Sequence, residues 1–120
     1  MGKRGRRQPR LTAPTSDYSD AEGNVLSLRG SLTPGSRREY AAALAGGGAR
    51  AAQTREDTWQ RAAELLFERL AVCWVIAGVP LDSQRALLAR FRMASAEERA
   101  WVRGVLREHC AEHFPDVQAP

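Results

Sequence analysis

Leu70-Ala71-Val72-Cys73-Trp74-Val75-Ile76-Ala77-Gly78-Val79-Pro80-Leu81 is the longest apolar run of the 120-residue chain, bracketed by Arg69 and Asp82. A bilayer span needs roughly 20 apolar residues, so the run is too short to cross a membrane and no membrane partner is expected. Upstream, Thr54 followed by Glu56 and Asp57 reads as a helix start with acids at its positive end. At a helical pitch Trp59, Ala62, Ala63, Leu66, Leu70, Cys73, Trp74 and Ala77 share one stripe, and Gly78 and Pro80 stop the helix. The periodicity therefore predicts one long helix over 56–78.

That helix has more apolar surface than one stripe needs. Leu65, Val72, Ile76 and Val79 fall about 200–260° round from Trp59. Burying four aliphatic side chains is worth at most roughly 1.5–3 kcal/mol each. A small domain has only roughly 5–15 kcal/mol of total stability. This second face is thus expected to be covered, by a short helix over 36–44 with Tyr40 and Leu44, by a second copy, or by another protein. These four residues are the candidate partner-binding set.

Downstream, Asp82 or Ser83 caps a second helix carrying Leu87, Leu88 and Phe91. Ser95-Ala96-Glu97-Glu98 has the spacing of a capping box and opens a third helix with Trp101, Val102, Val105 and Leu106 on one face, ending at Phe114-Pro115. The fold expected is mostly α, a small three-helix bundle over about 55–114 with short connections.

Ahead of the bundle the order expected is a disordered basic tail (1–17), a docking arm (18–45), a Gly-rich linker (46–53) and then the bundle (54–115). Within 18–45, Asp20-Ala21-Glu22-Gly23-Asn24 reads as a turn. Val25-Leu26-Ser27-Leu28-Arg29 alternates at Leu26 and Leu28 like a short strand, with the segment around Tyr18 as its only local partner. Thr33-Pro34 starts a short helix to about Leu44, which Gly46-Gly47-Gly48 ends.

Charge is unevenly placed. The chain has 18 Lys plus Arg and 14 Asp plus Glu, a formal net charge of +4. Lys3, Arg4, Arg6, Arg7 and Arg10 face no acid in the first ten residues, while the rest of the chain nearly balances. Any long-range pull on a polyanion therefore comes from the arm. Seventeen of the basic residues are Arg and Ala occurs 20 times, the usage of a GC-rich, bacterial coding sequence.

Lys3-Arg4-Gly5-Arg6-Arg7-Gln8-Pro9-Arg10 resembles an AT-hook over eight residues. Arg4-Gly5-Arg6 matches the core of that motif; Arg7 stands where the family has proline, and Pro9 comes two positions late. The resemblance implies that Arg4, Gly5, Arg6 and Arg7 bind the minor groove of AT-rich DNA. Physically, Gly allows close backbone approach and Arg is drawn by the groove's negative potential. The alternative is a solvated basic terminus that aids solubility.

Chemistry-bearing residues are few. His109 and His113 are one turn apart with Cys110 and Glu112 beside them, a spacing able to chelate a metal. Both fall within the stripe of Val102, Val105 and Leu106, so packed histidines and no metal are expected. Cys73 and Cys110 lie on apolar stripes roughly 10 Å apart along the bundle axis, too far for a bridge, so two reduced thiols are expected. Trp59, Trp74 and Trp101 read as core. Arg90, Arg92, Arg99, Arg103 and Arg107 interleave with Glu97, Glu98, Glu108 and Glu112 as a salt-bridged surface. A helix-turn-helix over 82–107 is rejected because its recognition helix starts Ala96-Glu97-Glu98, and those acids repel phosphates. No nucleophile elbow is visible, and Gly46-Gly47-Gly48 lacks the Lys of a phosphate loop.

No catalytic residue, cofactor or small-molecule substrate is therefore expected. The function expected is that of a non-enzymatic cytoplasmic protein. It acts by association with itself or another protein through the long helix, with nucleic-acid binding through the arm as the alternative.

Overall fold

The computed structural model describes residues 14–46 and 55–120. In chain order its elements are β1 (Thr15–Ser19), β2 (Val25–Arg29), α1 (Pro34–Leu44), α2 (Arg55–Leu70), β3 (Ala71–Ile76), β4 (Val79–Leu81), α3 (Gln84–Arg92) and α4 (Ala96–His113). The strands form one antiparallel sheet in the order β1-β2-β3-β4.

The helix expected over 56–78 ends at Leu70, and the next residue opens β3. The mostly α three-helix bundle is thereby overturned, and a four-stranded sheet with four helices takes its place. The cause lies in the apolar run. Val72, Trp74, Val75 and Ile76 are β-branched or aromatic and suit a pleated surface better than a helix. As a strand the run alternates: Trp74 is buried on the helix side, while its neighbours Cys73 and Val75 are only half-buried. Ala77 and Gly78 then turn the chain with φ of 52° and 79°. Positive φ at both turn positions matches the right-handed twist of a hairpin.

The segment 18–45, expected as a docking arm, packs into the fold. Tyr18 pairs with Leu26 across β1 and β2, and Leu26 pairs onward with Trp74. Leu26, Leu28 and Tyr40 lie in the core. Thr15, Ser16 and Asp17, assigned to the tail, are strand residues. The remainder of the expected tail (1–13) and of the linker (47–53) lies outside the described residues.

Three helix starts follow local chemistry. Thr33 accepts from the Ser36 amide and Ser83 from the Ala86 amide, both at 3.1 Å. Ser95 and Glu98 form the reciprocal capping box. One core gathers Leu26 and Leu28 of the sheet with Leu66, Phe67, Phe91, Val102 and Leu106 of the helices. Phe67 stacks on Phe91 at 4.7 Å and meets Trp74 edge-on at 5.8 Å. Trp59, expected in the core, is 36% exposed. By register the opposite sheet face carries Asp17, Val25, Ser27, Arg29, Cys73, Val75 and Pro80. None of its apolar residues joins the core.

Candidate functional site

The four residues expected to share one helix face do not share it. Leu65 stays on α2 and packs against the core. Ile76 also packs against the core, and across the hairpin it pairs with Val79, which is 60% exposed. Ser27 pairs with Cys73 but Leu28 pairs with Ala71, so the register slips and Val72 is left in a bulge. Arg4, Gly5, Arg6 and Arg7 lie outside the described residues.

A cavity of about 200 Å³ opens between the β1–β2 turn and the first turns of α4. Trp74 and Trp101 line it together with Asp20, Glu22, Glu97 and Glu98. The turn places two of these acids. Asp20 accepts from the Glu22 and Asn24 amides and from the Asn24 carboxamide, at 2.8–2.9 Å. Desolvation alone would raise its pKa; these hydrogen bonds outweigh it and the pKa is lowered. The capping box places the other two. The Glu98 carboxylate accepts from Arg90 at 2.7 Å and from the Ser95 amide at 3.1 Å, and both lower its pKa, Arg90 the more. Glu22 and Glu97 are exposed, and no described cation pairs with them.

The Arg90 guanidinium lies 5.3 Å over the Trp74 ring. Trp74 is 2% exposed, and its buried indole N–H has no acceptor among the described residues. The arrangement suits a cationic group, with π faces and carboxylates together around a recess. The sequence pattern reads Trp74 and Trp101 as core. What the sequence does not display is the return of the 20–24 turn onto α4, which brings the acids of both to the two indoles.

The histidines form a second polar group where α4 crosses the sheet. His109 is fully buried. Its Nε2 lies 2.8 Å from the Arg29 carbonyl, which only accepts, so Nε2 carries the proton. Nδ1 therefore accepts from the Tyr18 hydroxyl at 2.8 Å. Burial lowers the His109 pKa, opposed by the Arg29 bond and Glu112 and reinforced by His113. The Tyr18 pKa is raised, chiefly by burial and then by Glu108 and Glu112. His113 Nε2 lies 3.3 Å from Ser16 Oγ, and its ring stands 4.4 Å from that of His109. These bonds pin β1 and β2 to α4. Among the described residues no group of three or more His, Cys, Asp or Glu converges on a point fit for a metal.

Cys73 and Cys110 are both free, and burial pushes the Cys110 thiol up to about 11. Of the expected surface pairing, Arg90–Glu98 forms, whereas Arg92 and Arg103 pair instead with Glu64 and Glu56 of α2. No helix of the described residues is long and apolar enough to cross a membrane. Comparison of the chain with protein-family models, with curated proteins and with solved structures found no match.

Proposed function

We propose that this chain is a non-enzymatic association module that pairs with a second copy of itself through the sheet face turned away from the helices. One observation carries this reading. Val25, Val75 and Pro80 are neighbours across β2, β3 and β4, with Cys73 in the adjoining row, and none of them belongs to the core. An antiparallel sheet covered on one side ordinarily turns polar residues to water on the other. Here β3 is apolar on both sides.

Two features favour a second copy over a foreign partner. The same face carries one acid and one base, Asp17 and Arg29, and is nearly neutral, so strongly charged partners gain little. A two-fold contact needs a patch complementary to itself, which such a pair supplies. Aligned face-to-face packing of the two sheets would bury the row. The two unpaired cysteines support a reducing, cytoplasmic setting.

Light scattering of the full chain over about 1–100 µM tests the proposal, in the range where micromolar dimers dissociate. A dimer is expected, and Val75→Glu or Val25→Lys should convert it to a monomer with an unchanged circular dichroism spectrum. A monomer throughout that range would refute it.

The competing nucleic-acid reading draws nothing from the described residues. They hold 12 arginines against 14 carboxylates, so the chain's positive excess lies elsewhere.

A further inference from the structure

We propose that the cavity between Trp74 and Trp101 is the docking site of the chain's own basic segment, Lys3–Arg10. This goes beyond the pairing proposed above and does not depend on it.

Complementarity of charge is the first support. The cavity wall presents Asp20, Glu22, Glu97 and Glu98, and only Arg90 among the described residues offsets them, through Glu98. Glu22 and Glu97 are the two whose charge no described cation meets. The segment 3–10 has five cationic side chains and no acid. The described residues are net acidic, so this is the part of the chain with surplus cations to give.

The second support is the pair of indoles. A guanidinium is attracted to an aromatic face, and more so where water is excluded. The protein already uses this chemistry beside the cavity: Arg90 lies over Trp74 and bonds to Glu98. Trp101, half-buried on the cavity wall, offers a second ring for an incoming arginine. Trp74 also holds a buried N–H without an acceptor. A peptide supplies both missing partners, guanidinium groups for the free carboxylates and a backbone carbonyl for that N–H.

Reach is the third. β1 runs from beside Pro14 to Asp20, so the cavity lies about 20 Å from where the described chain begins. Arg7 stands seven residues before Pro14, and an extended chain of that length spans at most about 25 Å. Arg4 and Arg6 reach further, whereas the Arg10 backbone falls short at about 14 Å. The arginines of the Arg4-Gly5-Arg6-Arg7 core are thus the ones placed to fill the cavity, and segment and site belong to one molecule.

Acrylamide quenching of tryptophan fluorescence in the full chain tests this. Trp59→Phe is the parent, because Trp59 does not line the cavity and would otherwise add its own emission. One variant adds Arg4→Gln, Arg6→Gln and Arg7→Gln; the other adds Glu22→Gln and Glu97→Gln, two exposed side chains outside any described ion pair. At about 20 mM salt the parent should be quenched about twofold less than either variant, and at about 500 mM salt the three should coincide, since screening releases the arm. The protection should not change with protein concentration. Equal quenching of parent and variants at low salt would overturn the proposal. So would an effect of the arm variant alone, which would place the segment elsewhere, or protection that grows with concentration, which would place it in a neighbouring molecule. A dimer lost on Val75→Glu with this protection intact would separate the two proposals.

Discussion

The Asn24 carboxamide oxygen accepts the Ala77 backbone N–H at 2.9 Å, joining two turns 53 residues apart. Its amide nitrogen donates to Asp20 at 2.9 Å. One side chain therefore closes the β1–β2 turn, holds an acid of the cavity wall and ties the β3–β4 hairpin to both. Asn24→Ala removes both side-chain bonds and is expected to cost about 1–2 kcal/mol in urea unfolding. Faster hydrogen exchange at Ala77 should accompany the loss. An unchanged unfolding midpoint would mean that the two turns are not coupled.

The Ala77-Gly78 turn is held at a backbone cost. A side-chain-bearing residue at φ 52° is strained by roughly 1–2 kcal/mol, and Asn tolerates this region better. Ala77→Asn should therefore stabilise the protein and raise Tm by about 2–6 °C. Gly78→Ala should lower it, although a Cβ at Gly78 meets nothing within 4 Å, because its φ of 79° alone carries the penalty. Thermal scans of both variants check the sign. Were residues 70–81 helical, Gly78→Ala would stabilise instead.

His109 makes stability depend on pH. Its folded pKa lies below the ordinary value of 6.5, because burial disfavours the imidazolium. The unfolded chain thus binds the proton more readily, and the stability held above pH 6.5 declines as pH falls through the folded pKa. His113 facing it at 4.4 Å steepens the loss, whereas Glu112 moderates it. Urea midpoints between about pH 7.5 and 5 should fall, and His109→Asn should flatten the slope while lowering the plateau. Equal slopes in the two proteins would exclude His109 as the source. Tyr18→Phe leaves Nδ1 without its donor and should cost about 1–2 kcal/mol at neutral pH.

The two thiols should react differently. Cys110 is 1% exposed and burial pushes its pKa to about 11, so iodoacetamide at pH 8 should spare it until the protein unfolds. Cys73 is half-buried on the uncovered sheet face and should be alkylated in the native state. Mass spectrometry should find one native adduct. Its rate should slow as concentration rises if that face pairs with a second copy.

Elements governed by neighbouring residues were legible in advance. Thr33-Pro34, Ser83 and Ser95-Ala96-Glu97-Glu98 marked the starts of α1, α3 and α4, because a cap bonds to amides two or three positions away. Leu26 and Leu28 marked β2 by alternation, and Tyr18 its partner. The run from Leu70 misled. Its apolar residues fit a helical stripe and a period of two equally well, and nothing resembling a stop separates Leu70 from Ala71. Its β-branched density was the available signal, together with Gly78 placed where a hairpin would turn.

The candidate cavity was the less legible part. Read locally, its two indoles are core residues and its acids are caps and turn residues. Nothing in the order of residues states that Asp20 and Glu22 come to lie beside Glu97 and Glu98, nor that Tyr18 meets His109 across 91 positions.

Where helices begin, where positive charge collects and which side chains are too apolar to remain wet can all be read from the order of residues. Those properties depend on bonds and solvation within a few residues. Long-range packing makes 71–76 and 79–81 strands, leaves one sheet face uncovered and brings two tryptophans to four carboxylates. Strand pairing is bought with hydrogen bonds to distant chain, so β3 exists because β2 is there to receive it.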